Sequence, residues 1–410
     1  MRRTNSWKRL FLNTSYLLTA FTLSGCDSCT KQTQKSPETL SQTSNEENVI
    51  HIGEVSSMTG SEASFGVSTH KGIEFAINEI NASGGIKGKK LTLTTMDDQG
   101  KPDEAANAIT KLITQNKVSA VIGEVASSRS LAMAPIAQNH KIPMISPSST
   151  NPKVTQQGEY IFRVCFIDPF QGAVMAQFAF DALKVRKAAI LRDVKSDYSM
   201  GLADFFEKVF KGQGGEIIAD VSYSGGDIDF KSQLTKIRAE IAEKSKGQTS
   251  VIFIPGYYTE VGLIARQARE LGINEVLLGG DGWDSQKLKE IGGTAIDGSY
   301  FSNHYSPENK APNIVKFTGK FKEVYHEVPD GLAAMGYDSI MVLADALNRA
   351  KTFNPTDIRD AIAQTKDLQG VTDKITIDQD RNAVKSAVIL HVEKGEFKYH
   401  STVTPQSIKL

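Results

Sequence analysis

Four short polar segments, each following an apolar run, hold the side chains best placed to do chemistry. Gly123-Glu124-Val125-Ala126-Ser127-Ser128 places two hydroxyls at the apparent start of a helix. Backbone N–H groups left free there, with Ser127 and Ser128, suit a carboxylate. Ser148-Ser149-Thr150 offers the same chemistry, and simple N-capping accounts for either segment taken alone. Gly256-Tyr257-Tyr258-Thr259 and Gly280-Asp281-Gly282-Trp283 close two later runs. Asp281 has the charge to meet an ammonium group and equally suits a turn aspartate. Asp97-Asp98 and Asp281 are the acid–base candidates if the chain were an enzyme. Neighbours on a strand point to opposite faces, so Asp97-Asp98 reads better as a strand end supporting a turn.

Several chemistries have no residues to carry them. No Gly-x-Gly-x-x-Gly follows an apolar run, and no Walker-type loop, His-Glu-x-x-His or Gly-x-Ser-x-Gly occurs. Histidines at 51, 70, 140, 304, 326, 391 and 400 are scattered, with no pair at metal-ligand spacing. The expectation is no metal and no cofactor, and an enzyme built without these devices would need a site that no motif reveals.

The elements that must position these residues alternate. Short apolar runs lie at Val49–Val55, Leu91–Met96, Val118–Gly123, Ile142–Ser146, Ala188–Leu191, Glu216–Val221, Val251–Ile254 and Glu275–Gly279. Stretches with helical apolar spacing, such as Gly72–Ile80, Glu104–Ile113 and Ala203–Phe210, separate most of them. This alternation predicts an α/β fold with parallel sheets flanked by helices. In such sheets, ligands sit where strands end and helices begin, which is where all four polar segments fall. Asp168-Pro169 reads as an N-cap followed by proline at the first helical position. Three helices are expected around Asn313–His326, Leu332–Ala350 and Thr356–Thr365, then a hairpin from Lys374–Asp378, Ser386–His391 and Glu396–His400.

The N-terminus adds a location. Arg2, Arg3, Lys8 and Arg9 precede a short apolar run that ends at Leu23-Ser24-Gly25-Cys26. The run is too short and polar to span a bilayer permanently. Small residues before a cysteine at this point mark a bacterial lipoprotein signal, residues 1–25, cleaved so that Cys26 carries lipid. An ordinary secretory signal with a chance cysteine is the competing reading. Residues 26–48 have almost nothing to bury and read as a disordered tether reaching roughly 25 Å. Basic and acidic residues balance at 47 each, so losing the basic signal leaves a mildly acidic body. No basic tract suggests nucleic acid. Cys29 lies in the tether, and Cys165, inside an apolar run, reads as a buried free thiol.

Beyond these features the chain carries a family likeness. It rests on Thr59-Gly60-x5-Gly66-x5-Gly72, Ile80-Asn81-Ala82-x-Gly84-Gly85-Ile86-x-Gly88 and Asp97-Asp98-x3-Pro102-x2-Ala105. It continues with Val121-Ile122-Gly123-x3-Ser127, Pro143-x-Ile145-Ser146-Pro147-x2-Thr150, Phe162-Arg163, Asp168-x2-Gln171-Gly172, Tyr337-Asp338 and Gly370-Val371-Thr372. The body resembles the substrate-binding lipoproteins of branched-chain amino acid ABC importers, the leucine/isoleucine/valine-binding type among type I periplasmic binding proteins. That resemblance implies two Rossmann-like lobes, joined by a multi-strand hinge, closing over one amino acid. The first lobe would be 49–167 with 303–368 and the second 168–302 with 369–410. Carried over by position, Ser127, Ser148 and Thr150 would hold the ligand carboxylate, with Ser128 beside them. Tyr257 and Asp281 would come from the second lobe, Asp281 meeting the ammonium. Phe65, Tyr198 and Leu332 would wall the side-chain pocket. The resemblance further implies an ABC permease in the inner membrane as partner, a lipid-anchored position on the periplasmic side, and a monomer. A sensing module signalling to a membrane receptor or cell-wall enzyme is the alternative. Ala126 stands where enteric relatives have a cysteine, so their disulfide is missing. Arg129 follows the serine pair; it either reaches the cleft and favours a polar ligand or is a solvated arginine on the helix, and the latter is the expectation.

Overall fold

The computed structural model describes residues 48–408. The signal segment, Cys26, and the tether up to residue 47 lie outside the described residues.

Five strands open the chain: β1 (Val49–Ser56), β2 (Lys90–Asp97), β3 (Ala120–Ile122), β4 (Met144–Ser146) and β5 (Ile161–Arg163). They form one sheet ordered β2-β1-β3-β4-β5, parallel throughout, with Glu54 opposite both Thr95 and Ile122. Helices α1 (Ala63–Ala82), α2 (Pro102–Thr114) and α3 (Ser127–His140) connect them. Parallel strands need such crossovers and are covered on both faces, so β3, β4 and β5 are buried along their whole length. The sequence of α2 shows why it forms. Pro102 occupies the first turn, Asp103 and Glu104 complement the positive end, and Lys111 sits in the last turn. Its apolar stripe, Ala105, Ala108, Ile109, Leu112 and Ile113, is buried.

After α4 (Asp168–Gln177) the pattern repeats as β6 (Lys187–Asp193), α5 (Asp197–Gly212), β7 (Glu216–Tyr223), α6 (Lys231–Lys244), β8 (Ser250–Phe253), α7 (Tyr258–Glu270), β9 (Val276–Gly279), α8 (Gln286–Gly292) and β10 (Tyr300–Asn303). Asp168 does not cap α4 as expected: the cap position is Ile167, with no side-chain bond. The Asp168 carboxylate is instead fully buried, and neither oxygen has a hydrogen-bond partner among the described residues.

Three helices follow, α9 (Pro312–Tyr325), α10 (Gly331–Arg349) and α11 (Pro355–Ala363), as the sequence spacing predicts. α10 lies directly on α1. A β-carbon at Gly72 would fall 1.9 Å from the Ala333 carbonyl oxygen, so only glycine allows this backbone approach. Strands β11 (Leu368–Gln369), β12 (Lys374–Ile377) and β13 (Ala383–Val384) make a small antiparallel sheet. The chain ends in the β14 (Ala387–Glu393) and β15 (Glu396–Val403) hairpin.

The expected three-part hairpin therefore divides, because β12 pairs with β11 and β13 and only β14 pairs with β15. A turn at Asp378–Asn382, closed by a backbone bond from Asp378 N to Asn382 O, keeps β12 with β13. β14 extends the second sheet, ordered β15-β14-β10-β9-β8-β6-β7, by pairing antiparallel to β10. Ile375, Ile377 and Ala383 join the core containing Ile52, Ile73 and Leu347, whereas the resemblance implies that 369–410 belongs to the other lobe. The elements packed on the two sheets are connected by residues 164–167, 304–311 and 385–386. Cys165, in the first connection, is buried as a free thiol; burial pushes it up to about 12. Among the described residues, no helix is long and apolar enough to cross a membrane.

Candidate functional site

The strand ends singled out by sequence face one another across the two sheets. β3 runs into Gly123–Ser127 and β4 into Pro147–Thr150, while β8 and β9 run into Gly256–Tyr257 and Gly280–Gly282. Between them lies a narrow cavity of about 20 Å³, lined by Phe65, Val125, Ala126, Ser127, Ser148 and Leu332 from one side. Tyr198, Tyr257, Asp281 and Gly282 line the other. Phe65, in the first turn of α1, meets Tyr257 edge-on at 5.6 Å and Tyr258 at 4.9 Å. Tyr198 and Tyr257 stack 5.2 Å apart and nearly parallel, and the Tyr198 hydroxyl accepts a bond from the Gly282 amide at 3.1 Å. Leu332 is set by the capping of α10, where Asp330 accepts from the Ala333 amide at 2.9 Å.

The hydroxyl wall is built differently from the sequence expectation. α3 starts after Ala126 with no side-chain cap, so its serines do not act as N-caps. Ser127 Oγ accepts from the Asn151 amide at 3.1 Å, and Ser148 Oγ donates to the Val125 carbonyl at 3.1 Å, so both line the cavity while pinned at their backs. Ser128 and Thr150 do not line it. Ser128 points across to α5, donating to Asp197 Oδ2 at 2.8 Å and accepting from the Asp197 amide at 3.0 Å. It works as a contact between the lobes, together with the Ser64–Ser285 hydroxyl bond of 2.7 Å and the Gly331 amide to Asp284 Oδ2 at 2.7 Å. Thr150 is buried, with its hydroxyl unpartnered among the described residues.

Arg129 is not solvated. Its side chain is 4 % exposed, with Nη2 2.7 Å from Glu62 and Nε 2.8 Å from Glu124. Asp98 Oδ2 stands 3.7 Å from the same Nε. Placement on a helix beside two serines gave no sign of these partners, which come from three separate parts of the chain. The cation is consumed by its carboxylates and does not line the cavity. Asp97 and Asp98 support the turn after β2, accepting from the Gln99 and Gly100 amides at 2.8 and 2.9 Å.

Asp281 is held on both oxygens. Gln171 Nε2 donates to Oδ1 at 2.8 Å, and His304 Nε2 lies 3.0 Å from Oδ2. Neither partner was read from the sequence, because residues 171, 281 and 304 share no local spacing and meet only through the sheet. Asp168 is buried nearby; burial and the Asp281 charge raise its carboxyl to about 8, against the pull of Arg163. Its folded value lies above the ordinary carboxylate range, so the folded state holds a proton that the unfolded chain releases near pH 4. Stability contributed by this group is present below about pH 4 and lost as pH rises towards about 8. Asp168→Asn is expected to flatten the fall of the thermal midpoint across that window. The slope change is up to about 1.4 kcal/mol per pH unit, read from melting curves of both proteins at several pH values.

Two α/β lobes, closed on a cavity that sets the Ser127 and Ser148 hydroxyls against the Asp281 carboxylate, define a bilobal solute receptor. The chain belongs to the periplasmic binding protein family, whose model, described as "Periplasmic binding protein", matches residues 49–396. Membership places the folded body outside the cytoplasm. An amino acid binding protein of Pseudomonas aeruginosa is 31% identical over 356 residues, covering 86% of this chain and 92% of that one. The crystal structure of the leucine binding protein LivK of Thermotoga maritima superposes with a TM-score of 0.83 at 40% identity, covering 88% of this chain and all of that one. LivJ of Streptococcus pneumoniae, a branched-chain amino acid transporter substrate binding protein in complex with isoleucine, gives 0.81 at 35% identity, covering 87% and 100%.

Proposed function

We propose that this protein captures one amino acid of the branched-chain or similar aliphatic class by lobe closure and delivers it to an ABC importer. The observation that carries this reading is a cavity with hydroxyls on one lobe and a carboxylate on the other. Ser127 and Ser148 would hold the ligand's anion from one side, and Asp281 would meet its cation from the other. Phe65, Tyr198, Tyr257 and Leu332 supply the apolar surroundings for the side chain. Each lobe alone offers half the contacts. Only closure brings both within hydrogen-bond distance and excludes water, where charge-assisted bonds strengthen. Ligand therefore favours the closed state by the contacts it gains there.

The narrow cavity has room for on the order of one water, so an amino acid enters as the lobes part. Micromolar affinity needs about −8 kcal/mol, within reach of several charge-assisted bonds and an apolar pocket after entropic costs. LivJ's complex with isoleucine supports an aliphatic ligand. The ligand set comprises Phe65, Ser127, Ser148, Tyr198, Tyr257, Asp281 and Leu332. The lobes divide near 49–167 with 303–368 and 168–302 with 369–410, except that 369–384 moves with the first lobe. The chain is cleaved before Cys26 and works as a lipid-anchored monomer on the periplasmic side.

Calorimetric titration of the protein, refolded to remove carried-over ligand, with each of the twenty amino acids tests the reading. Stoichiometric binding of leucine, isoleucine or valine is the expected result. If no amino acid produces heat or a shift in melting temperature, the proposal is wrong.

A further inference from the structure

Asp281 is the one charged side chain lining the cavity among the described residues, and what holds it matters as much as its own charge. Its two supports are rooted in two connections between the lobes. Gln171 lies in the first turn of α4, directly after residues 164–167, and His304 begins the 304–311 connection. The His304 ring is 2 % exposed and stacks on Phe166 of the first connection, with centroids 3.7 Å apart and planes at 29°. Burial lowers the His304 value, against the pull of Asp281 and with the repulsion of Lys385. A neutral imidazole that bonds an ionised carboxylate through Nε2 carries its proton there and leaves Nδ1 as a lone pair. Nδ1 has no partner among the described residues, as that tautomer allows.

We infer that His304, with Gln171, is a positioning residue for recognition of the ligand ammonium. It holds the Asp281 carboxylate towards the cavity through an uncharged donor and ties it to the segments about which the lobes move. The uncharged donor is the essential point. A lysine or arginine at 304 would hold the carboxylate equally well but would cancel the charge that the ammonium must meet. This inference rests on the reading of Asp281 as counter-ion.

The test compares isoleucine with 3-methylpentanoate, the same skeleton without the ammonium, by calorimetry on the full protein. The variants are His304→Ala, His304→Gln, His304→Lys, Asp281→Asn and the His304→Ala/Asp281→Asn pair. His304→Ala is expected to weaken isoleucine about ten- to a hundredfold and leave 3-methylpentanoate unchanged. Gln restores most of the loss and Lys does not. In the Asp281→Asn background, His304→Ala weakens isoleucine no further. Equal loss for both ligands, full rescue by Lys, or additivity in the double variant would overturn the inference by showing a merely structural role. An unchanged isoleucine affinity in His304→Ala overturns it as well. If Asp281→Asn itself leaves isoleucine affinity intact, the counter-ion reading fails and this inference falls with it. If Asp281→Asn abolishes binding while the His304 variants bind normally, only the inference fails.

Discussion

Replacing Asp281 by alanine is expected to weaken amino acid binding by about 3–5 kcal/mol, or roughly two to four orders of magnitude. The size follows from the surroundings. Asp281 is 9 % exposed, and no other charged group lines the cavity among the described residues. An ammonium brought there loses its water and finds one compensating carboxylate. Removing that carboxylate leaves an unpaired cation in a site walled by Phe65, Tyr198, Tyr257 and Leu332. Asp281→Asn should fall nearly as far, since the amide keeps shape but not charge. Isoleucine titration checks this directly. An independent check is the melting temperature, because a ligand at about a hundredfold its Kd stabilises the wild type by about 2.7 kcal/mol. That shift should vanish in both variants, whose ligand-free melting temperatures answer to two opposed effects, the first being the lost acceptor of the buried Gln171 and His304 bonds, which costs stability. Relief of the Asp281 charge beside Asp168 works in the stabilising direction. Isoleucine binding to Asp281→Ala at wild-type affinity would remove the electrostatic basis of the proposed function.

The ingredients of this site were legible where local chemistry and strand order coincide. Each apolar run of the first sheet became a strand, and ligand-facing residues were expected where strands end. That rule placed Ser127, Ser148, Tyr257 and Asp281 around one cavity. It could not separate Ser127 from Ser128. Successive helical residues point about a third of a turn apart, so one serine lines the cavity while the next reaches Asp197 on the other lobe. Gln171, present only as part of a family motif, and His304, only as one scattered histidine, carried no site role because their meaning arises from long-range pairing alone. The same limit hid the partners of Arg129, and it assigned β12 to a hairpin with the wrong neighbour, since antiparallel pairing of short strands is decided by the turn between them.

Arg129 is a position at which a single substitution should cost several kcal/mol of stability. Its guanidinium stands among three carboxylates, of which Asp98 and Glu124 are fully buried. Ser57 binds both, donating to Asp98 Oδ1 at 2.7 Å and lying 3.2 Å from Glu124 Oε1, so the two acids are close neighbours. Even with Arg129 present, burial and the Glu124 charge raise Asp98 to about 7. Arg129→Met keeps much of the side-chain volume and removes the cation. Breaking a buried ion pair by deleting one member costs about 3–5 kcal/mol, because the remaining charge has no compensation. Asp98 would then rise further, so the folded variant keeps a proton that the unfolded chain has lost above about pH 4. Stability of the variant falls as pH rises through that window, and the difference from wild type is smallest near pH 5 and largest near pH 8.5. Urea denaturation at both pH values measures it. A function-linked loss should accompany the stability loss. Glu124 Oε2 accepts from the Ala126 amide at 2.6 Å, and the Glu124 carbonyl accepts from Ser130, Ser146 and Ser149. Those bonds tie the segment bearing Ser127 to the one bearing Ser148. Loosening them should weaken isoleucine binding through the carboxylate half of the site, under conditions where the variant is still folded. A pH-independent stability difference would mean that solvent, not Asp98 and Glu124, compensates the guanidinium.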